Sequence, residues 1–393
     1  MSQPAIIIAF GGVSPEHEVS VITAMQAAAA LREKPYRLVP LYITKQGSWF
    51  TGPELLELET YKEFKSLESK AKPCLLSIDE HGKTILLSGT GGLFKKPESI
   101  PVKAVLTAFH GSEGENGSFQ GLCEQYNIPY TGCGVTSSAL GMDKRLAKRI
   151  CRSEGIPVVD DVWVTESGWT ANSGTIISEI EKLNYPVFVK PVHLGSSIGV
   201  MKAGDRQSLR EAVETAFRYD PHLIVEKAVS PLMEINCSVL GDGADAEASV
   251  CEQPLSRDEL LSFEDKYLGD AGKGMASATR LIPAPISEEL TSAIRETSLS
   301  VFRLLDCSGL VRLDFLVNKE NGTFYFNEIN TIPGSFSFYL WDKSGHTFPG
   351  ILDRMIQIAE DRHRTKNGRV RSYETNLLST KAASGLKGLK GKG

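Results

Sequence analysis

Two segments near the carboxyl end of the chain carry carboxylate and amide side chains at spacings that suit metal binding. Asp314 lies in the apolar segment 310–317, and Glu328 and Asn330 lie in the next apolar segment. Because alternate side chains of a strand share one face, Glu328 and Asn330 point to the same side. A three-residue loop at 320–322 predicts a hairpin whose register places Asp314 opposite Glu328.

Two carboxylates that face each other across a strand pair destabilise the sheet unless a cation lies between them. Mg²⁺ prefers carboxylate and amide oxygens and commonly bridges to the phosphates of a substrate. The hairpin therefore predicts a Mg²⁺ site formed by Asp314, Glu328 and Asn330, with Mn²⁺ as an alternative ion. The competing interpretation is that one carboxylate faces solvent or pairs only with Arg312, which the same register places opposite Asn330.

Three lysines and one glutamate could bind the parts of a nucleotide. Lys190 ends an apolar segment and precedes the Gly/Ser-rich stretch 195–199, whose backbone N–H groups could bind phosphates. Lys144 and Lys266 are further candidates for phosphate binding, and Glu226 could accept a hydrogen bond from adenine or ribose. Taken alone, Lys144 and Lys266 are also explained as surface residues, Glu226 as an exposed strand end and the Gly/Ser stretch as a hairpin turn. The glycine patterns of P-loop NTPases and dinucleotide-binding folds are absent.

An alternation of strands and helices is needed to position these residues. The segment 5–10 predicts a buried strand, which is followed by a helix capped by Ser14 that runs to Leu31 and by a strand at 39–43. This order is typical of a parallel sheet with crossover helices. We expect further helices at 54–69, 137–153, 287–305 and 348–364, a hairpin at 75–87, and strands at 102–109, 158–164, 186–190, 198–202, 223–227 and 235–240.

Composition and charge exclude several classes of protein. The chain has 393 residues, of which 41% are hydrophobic and 23% are charged, as is typical of a globular protein of two or three domains. Its formal net charge of −5 argues against a body that binds nucleic acid. No apolar run approaches the roughly 20 residues of a membrane helix, and the first residues lack the basic region of a signal peptide. The seven scattered cysteines form no C-x-x-C pair, so that a reducing cytoplasm fits best.

Taken in order, the motifs resemble those of the D-alanine–D-alanine ligase family, which belongs to the ATP-grasp superfamily. They extend from Ile6 to Ile351 and comprise Gly11–Ser20, His110-Gly111, Glu115-Asn116-Gly117, Tyr130-Thr131-Gly132, Met142-Asp143-Lys144, Lys190-Pro191, Gly195–Gly199, Glu226-Lys227, Lys266-Tyr267, Arg312-Leu313-Asp314 and Asn327–Gly334. The resemblance implies an α/β, three-domain ATP-grasp fold with a Rossmann-like N-terminal domain. We expect a substrate-binding domain at 1–132, a central ATP-grasp subdomain at 133–225, a C-terminal ATP-grasp subdomain with the metal site at 226–365, and a basic tail at 366–393 that its low complexity predicts to be disordered.

The resemblance also implies an activity. ATP would phosphorylate the carboxylate of one D-alanine, and the amine of a second D-alanine would attack the resulting acylphosphate, which releases phosphate and a dipeptide for peptidoglycan. The substrates would thus be D-alanine and ATP, with Mg²⁺ as cofactor. By resemblance alone, we expect a homodimer. The composition and charge given above predict a cytoplasmic protein without nucleic-acid partners or a membrane span.

Individual residues take roles from the same resemblance. Glu16 would bind the ammonium of the first substrate, although helix capping alone also explains a carboxylate there. Ser196 and Tyr267 would link with Glu16 to close the site, beneath a loop at 264–275, and Arg312 with the Gly334 N–H would stabilise an oxyanion. The residues expected to contact the amino-acid substrates are His110, Ser337, Tyr339 and Leu340. Those expected to contact ATP are Lys144, Lys190, Glu226, Lys227, Glu234 and Lys266.

One position departs from the family pattern. Tyr339 stands where the best-known ligases have a serine that contacts the carboxylate of the second substrate. A tyrosine hydroxyl can donate the same hydrogen bond, but it reaches further and fills more space. The alternatives are therefore an unchanged D-alanine–D-alanine ligase, a ligase that joins D-alanine to another small amino acid, and a non-catalytic nucleotide-binding module, against which the intact site residues argue. The stretch 273–277 is an addition with no assigned role.

Overall fold

A computed structural model describes residues 3–61, 71–89, 96–255 and 280–372. Its strands are β1 Ala5–Gly11, β2 Arg37–Ile43, β3 Trp49–Thr51, β4 Lys72–Ile78, β5 Thr84–Ser88, β6 Glu98–Thr107, β7 Asp161–Thr165, β8 Val187–Pro191, β9 Met201–Ala203, β10 His222–Lys227, β11 Leu232–Asp242, β12 Glu247–Pro254, β13 Arg280–Leu281, β14 Ser308–Asn318 and β15 Phe324–Asn330. Its helices are α1 His17–Leu31, α2 Ser112–Glu115, α3 Ser118–Gln125, α4 Val135–Met142, α5 Lys144–Ser153, α6 Glu166–Glu181, α7 Arg206–Ala216, α8 Glu288–Leu304, α9 Phe338–Lys343 and α10 Phe348–Asn367.

Several predicted features lie outside the described residues. They include Lys266, Tyr267, the loop 264–275 with the stretch 273–277, and the tail from residue 373. The described part of the predicted helix 54–69 forms two short 3₁₀ turns, Pro53–Leu56 and Leu58–Tyr61, rather than an α-helix. Among the described helices, none has both the length and the apolar character that are needed to cross a membrane.

The six amino-terminal strands form a closed barrel in the order β1 to β6. β1 pairs in parallel with β2 and with β6, which confirms the predicted strand–helix–strand unit. All seven residues of β1 are buried, as expected for a continuously apolar strand that is covered on both faces. The antiparallel strands β3, β4 and β5 close the barrel, and the predicted hairpin at 75–87 corresponds to β4 and β5.

Two antiparallel sheets form the rest of the protein. The second sheet has the strand order β7-β10-β8-β9, and the third has the order β13-β12-β11-β14-β15. The predicted strands at 158–164, 186–190 and 198–202 are displaced by one to three residues, since β7, β8 and β9 begin at Asp161, Val187 and Met201. β10 continues to Lys227 and thus runs two residues beyond the predicted domain boundary at 225.

Three clusters of buried apolar side chains hold the helices against the sheets. The first joins the barrel to α9 and α10, because Phe10 and Leu106 share it with Trp341 and Ile356. The second lies between the third sheet and helices α5 and α8, and the third lies between the second sheet and helices α6 and α7. The carboxyl-terminal helices therefore fasten the third sheet to the first domain.

The prediction of one helix over 137–153 is wrong, because two helices, α4 and α5, are separated by Asp143. Asp143 has extended backbone angles, and its carboxylate accepts a hydrogen bond of 2.8 Å from the Leu146 N–H. An aspartate in this position caps the start of a helix. The break places Lys144 at the first position of α5.

Ser14 does not cap the first helix. α1 begins at His17, and the Ser14 hydroxyl instead donates to the His110 carbonyl at 2.7 Å and accepts from the Glu16 N–H at 3.1 Å. The serine therefore ties the turn after β1 to the end of β6. This contact between distant parts of the chain took precedence over the local capping preference.

Candidate active site

A cavity, here called the central cavity, lies where the amino-terminal barrel meets the second and third sheets. The predicted site residues that line it are Glu16, His110, Lys144, Ser196, Arg312, Glu328, Asn330, Gly334 and Tyr339. Asp314 lies directly behind this lining, where it contacts Arg312 and Asn330. The fold thus brings together residues from the whole described length of the chain.

The hairpin of β14 and β15, which carries the predicted metal ligands Asp314, Glu328 and Asn330, is here called the metal hairpin. Its register at these residues is the predicted one. Arg312 pairs with Asn330 and Asp314 with Glu328. The predicted three-residue loop is wrong, because the Asn318 N–H donates to the Thr323 carbonyl at 2.8 Å and the loop is one residue longer. A β-bulge between the Asp314 and Phe315 pairings absorbs the extra residue.

The bulge also decides which side chains face the cavity. Phe315 pairs with Phe326, so that Asn327 is the additional residue of β15. A bulge reverses the inward and outward alternation of the strand beyond it. Phe326 is therefore buried in the core beside Phe315, with ring centroids 6.2 Å apart, while Glu328 faces the cavity.

The carboxylate and amide side chains of this hairpin are of the kind that a hard divalent cation prefers. Asp314 and Glu328 are cross-strand neighbours, and the Asn330 amide N–H donates to the Asp314 carboxylate at 3.1 Å. Arg312 forms a two-pronged pair with Asp314 at 2.7 Å, and the Lys144 ammonium lies 3.4 Å from Glu328. The pairing of Asp314 with Arg312 is the contact that the competing interpretation predicted. Burial opposes the charge on Arg312, but Asp314 holds its pKa well above the ordinary value.

A buried cluster of two lysines and one glutamate lies beside the hairpin. The Lys190 ammonium is 2.6 Å from the Glu226 carboxylate, whose other oxygen pairs with Lys148. Burial alone would raise the pKa of Glu226, but Lys148 and Lys190 lower it to about 2. Lys190 also donates to the Asn327 side chain at 3.1 Å. The interpretation of Glu226 as an exposed strand end is wrong, because its side chain is 1% exposed.

Lys148 is a residue that the sequence interpretation missed. It follows Lys144 by four positions in α5, so that both side chains project from the same face of that helix. This spacing is the signal that could have identified it. The helix thereby directs one lysine at Glu328 and the other at Glu226.

Lys227 and Glu234 do not reach the central cavity. The Lys227 side chain is exposed and borders a cleft with Asp160 and Tyr325. Glu234 lines a groove of about 1110 Å³ between the second and third sheets, together with Phe188. The roles that the resemblance assigns to these two residues stay predictions.

The Gly/Ser-rich stretch closes on the first domain. The Ser196 hydroxyl donates to the Glu16 carboxylate, and Lys144 donates to the Leu194 carbonyl. Ser196 and Ser197 have φ angles of +53° and +60°, a left-handed conformation that is uncommon outside glycine. The stretch lies in the connection between the antiparallel pair β8 and β9, as the hairpin interpretation predicted, but it forms a long shaped loop that contacts Glu16.

His110 and Glu115 connect the first domain to the chain that follows β15. His110 Nε2 lies 2.8 Å from the Thr23 hydroxyl, which accepts from the Ser335 N–H at 3.1 Å. Burial lowers the pKa of His110 to about 3, so that its ring is neutral at pH 7. Glu115 was not predicted as a site residue, yet it lines the cavity and accepts from the Ile332 N–H at 3.1 Å. Burial, with Glu16 as the second cause, raises the pKa of Glu115 to about 7.

A strained turn follows the hairpin. Ser335, Phe336 and Ser337 have φ angles of +53°, +51° and +45° in succession. Such conformations persist only where the surrounding structure holds them, and they cluster at functional sites. The turn aims Gly334 at the cavity, whereas Ser337 and Leu340 are fully buried and do not line it.

Tyr339 lines the cavity but its hydroxyl is directed to a carboxylate. It lies 3.1 Å from Glu252, which also pairs with Arg280 at 3.1 Å. The guanidinium of Arg280 stacks over the Tyr339 ring, 3.8 Å from its centre. Neither Glu252 nor Arg280 was predicted, since β12 and β13 were not recognised as strands.

Two family profiles match most of the chain. The family described as D-ala D-ala ligase N-terminus matches residues 5–133, and the one described as D-ala D-ala ligase C-terminus matches residues 150–357. Among curated proteins, the D-alanine–D-alanine ligase of Thermosipho melanesiensis is 41% identical over 375 residues, which cover 95% of this chain and 98% of that protein. The ligase of Chlorobium phaeovibrioides is 38% identical and covers 91% of this chain and 98% of its own length.

Solved structures show the same similarity in three dimensions. The D-alanine–D-alanine ligase from Coxiella burnetii has a TM-score of 0.77 and 29% identity, and the match covers 96% of this chain and 99% of that one. The VanG D-Ala:D-Ser ligase from Enterococcus faecalis has a TM-score of 0.76 and 29% identity, with coverage of 91% and 100%. The likeness therefore extends over the whole length of these proteins.

Proposed function

The chain belongs to the D-alanine–D-alanine ligase family of ATP-dependent ligases, and we propose on this premise that it joins two D-alanine molecules through an acylphosphate, in the synthesis of peptidoglycan precursors. The observation that carries this proposal is the convergence of Glu16, Arg312 and Glu328 on one cavity. These residues supply the charges that an amino acid, an oxyanion and a metal ion each require.

We place ATP between the second and third sheets. The groove that Glu234 lines has apolar walls, including Phe188 and Met233, and suits a nucleobase. Burial lowers the pKa of Lys190, but nearby carboxylates raise it above its ordinary value. Glu226 has the largest such effect, and Glu234 has a smaller one. Lys190 is thus near both the groove and the hairpin, as a lysine that binds the phosphate chain must be.

The phosphate end of ATP would lie against Lys144 and Lys190. Transfer of a phosphoryl group depends mainly on positioning and on neutralising negative charge, and these two ammonium groups supply that charge. Asp314, Glu328 and Asn330 would hold Mg²⁺, which neutralises phosphate oxygens when it is bound. Lys148 keeps Glu226 ionised and so holds the Lys190 side chain in place.

The first D-alanine would bind at Glu16. Glu16 is 6% exposed and lies at the start of α1, where its carboxylate suits the ammonium of a small amino acid. Ser196 fixes the carboxylate by its hydrogen bond and brings the Gly/Ser loop over the substrate. Closure of this kind excludes water, which would otherwise hydrolyse an acylphosphate.

The oxyanion that forms when the second amine attacks would be stabilised by Arg312 and by the Gly334 N–H. Asp314 orients the Arg312 guanidinium through two hydrogen bonds of 2.7 Å. The strained turn after Gly334 holds the backbone so that the N–H has a fixed direction. Donors that are in place before the reaction cost no reorganisation, and loss of one such donor typically lowers the rate about 100- to 1,000-fold.

A second candidate is a ligase that joins D-alanine to a different small amino acid. Tyr339 favours it, because this aromatic side chain narrows the cavity where a serine is expected. The structural relative from Enterococcus faecalis is named as a D-Ala:D-Ser ligase, which shows that the described fold accommodates a different acceptor.

The deciding experiment is phosphate release with Mg-ATP and a panel of D- and L-amino acids, with the mass of each product determined. We expect release with D-alanine alone and a product with the mass of the D-alanine dipeptide. Activity that appears only with mixtures of D-alanine and another amino acid would favour the second candidate. No release above background with any amino acid would contradict both.

The metal site is tested by Asp314→Asn. Loss of one carboxylate ligand is expected to lower turnover at ordinary Mg²⁺ by more than about 100-fold. Asp361→Asn is the matched control, because Asp361 lies on α10 and pairs only at the surface with Arg364. Turnover of Asp314→Asn close to that of the unaltered enzyme would show that the hairpin does not hold the catalytic ion.

We further propose that the enzyme works in the cytoplasm as a homodimer, with no nucleic-acid partner. Support for these points comes from the resemblance, from the acidic net charge of −5 and from the absence of any membrane-spanning helix among the described residues. Light scattering of the purified protein tests the oligomeric state, and a mass of 42.9 kDa would contradict the dimer.

A further inference from the structure

One wall of the central cavity is a cluster of polar, charged and aromatic side chains, of which the function described above uses only Tyr339. It consists of Glu252, Arg280, Tyr339 and Asn236, and is here called the acceptor wall. The Glu252 carboxylate receives three donors, the Asn236 amide at 3.0 Å, the Tyr339 hydroxyl at 3.1 Å and the Arg280 guanidinium at 3.1 Å.

The acceptor wall stands on the same sheet face as the metal hairpin. Glu252 pairs across the strands with Asn236, Asn236 pairs with Asp314, and Asp314 pairs with Glu328. Directly opposite residues of neighbouring strands share a face, so that these four side chains form one row across the third sheet. The metal hairpin lies at one end of the row and Glu252 lies at the other.

The charged side chains of the acceptor wall are buried, so that their positions relative to one another are fixed. The Glu252 side chain is 2% exposed and that of Arg280 is 12% exposed. A buried carboxylate is tolerated when its lone pairs are filled by donors, and removal of one partner is costly. The three donors therefore hold one another in place through Glu252.

The hydroxyl of Tyr339 donates its hydrogen bond to Glu252 and not to a group in the cavity. An ionised carboxylate only accepts hydrogen bonds, so that the tyrosine proton is directed to Glu252. What Tyr339 presents to the cavity is its ring, over which the Arg280 guanidinium stacks at 3.8 Å. The stack fixes the plane of the guanidinium beside the site.

An acceptor amino acid brings a carboxylate into a cavity that already contains Glu16, Glu252 and Glu328, and it needs a cation there. Arg312, Lys144 and Arg280 each pair with a carboxylate, but the proposed function already assigns Arg312 to the oxyanion and Lys144 to the phosphates. Arg280 is the cation at the opposite end of the row, and a guanidinium has five donors in a planar fork that suits a carboxylate.

We propose that Arg280 binds the carboxylate of the acceptor amino acid and that Glu252 is the residue that positions it, together with the Tyr339 ring. This inference rests on the proposed function, because it assumes that a second amino acid attacks the acylphosphate. It assigns recognition of the acceptor to β12 and β13 rather than to a hydroxyl of the turn after Gly334.

The test uses D-alaninamide as an alternative acceptor in the presence of D-alanine and Mg-ATP. D-alaninamide has no carboxylate, so that it cannot be phosphorylated and reports on the acceptor position alone. The masses of the two products give the preference of the enzyme for D-alanine over D-alaninamide. We expect the unaltered enzyme to prefer D-alanine by about 10- to 100-fold, which corresponds to one charge-assisted hydrogen-bonded contact.

Arg280→Gln is expected to remove most of this preference and to raise the KM of the acceptor, with the KM of ATP changed less than about twofold. Glu252→Gln should act in the same direction but more weakly, and Arg280→Lys should restore part of the preference. Glu247→Gln is the control, because Glu247 lies on the same strand but its side chain is 53% exposed. A purely structural role would lower the use of both acceptors equally.

Two results would overturn the inference. One is an unaltered enzyme that uses D-alaninamide as well as D-alanine, and the other is an active Arg280→Gln that keeps the full preference. The first result needs no variant and stands even if the substitutions prevent folding. An unaltered enzyme that releases no phosphate with any amino acid would contradict the proposed function instead.

Discussion

Buried charges at the level of single residues occur here in groups that neutralise one another. Glu226 lies between Lys148 and Lys190, Asp314 is held by Arg312, and Glu252 collects three donors. A buried charge without a partner costs several kcal/mol, so that these groups form only when every member is present.

Lys148→Met tests this dependence. The substitution leaves Glu226 with Lys190 as its remaining ionic partner, and we expect the free energy of unfolding to fall by roughly 3 kcal/mol, at the low end for a broken buried pair. Urea unfolding monitored by circular dichroism measures the change. Lys182→Met is the control, because the Lys182–Glu179 pair is on the surface and contributes less than about 1 kcal/mol. Equal effects of the two substitutions would contradict the interpretation.

At the level of elements, the Gly/Ser loop after β8 is held at its base by His193. Its ring lies 2.9 Å from Asp220 and 3.6 Å from Asp143, the residue that caps α5. Asp143 and Asp220 raise the pKa of His193 to about 9. The loop that carries Ser196 is thereby tied to the helix that carries Lys144.

His193→Gln gives a prediction with a definite pH dependence. Because the folded pKa of about 9 is above the ordinary value of 6.5, the stabilisation by His193 is fully present below pH 6.5. It declines as the pH rises from 6.5 through 9 and is absent above that range. Urea unfolding between about pH 5 and pH 10, where Asp143 and Asp220 stay ionised, should therefore show the largest loss of stability for the variant at the low end of that range. A loss that grows with pH would contradict the assignment, and His81→Gln in an exposed turn is the control.

Elements also show where local sequence patterns are insufficient. The hairpin register at Asp314 and Glu328 was predicted correctly although the loop was misjudged, because the bulge at Asn327 absorbs the additional loop residue. A bulge has no local sequence signature here, since Asn327 resembles any polar residue of a strand. Helix 137–153 was wrong for a different reason, because Asp143 caps a second helix in the middle of the predicted one, through its hydrogen bond with the Leu146 N–H.

The whole molecule holds the cavity together by contacts between distant parts of the chain. Ser196 contacts Glu16 across 180 residues, and the Ile332 N–H contacts Glu115 across 217. Helix α10 also returns to the first domain, where Arg362 donates to the Gly132 carbonyl at 2.7 Å. The cavity therefore exists only in the fully assembled protein.

We predict that the enzyme stays active when the chain is truncated after Ser372. The described residues that line the central cavity end at Tyr339, and α10 ends at Asn367. We expect kcat/KM for ATP-dependent phosphate release to change by less than roughly twofold when residues 373–393 are removed. Loss of activity in the truncated enzyme would show that the tail has a role in the site.

The sequence by itself determined the class of chemistry, the parallel start of the first domain and the pairing of Asp314 with Glu328. These features depend on residues that are close in the chain or on motifs in a fixed order. Only the tertiary structure decided that Lys148 pairs with Glu226, that Glu115 faces the cavity and that Glu252 holds Arg280 beside Tyr339. The physical reason is that these contacts join residues 28 to 217 positions apart, and their formation depends on how the three sheets and their helices pack.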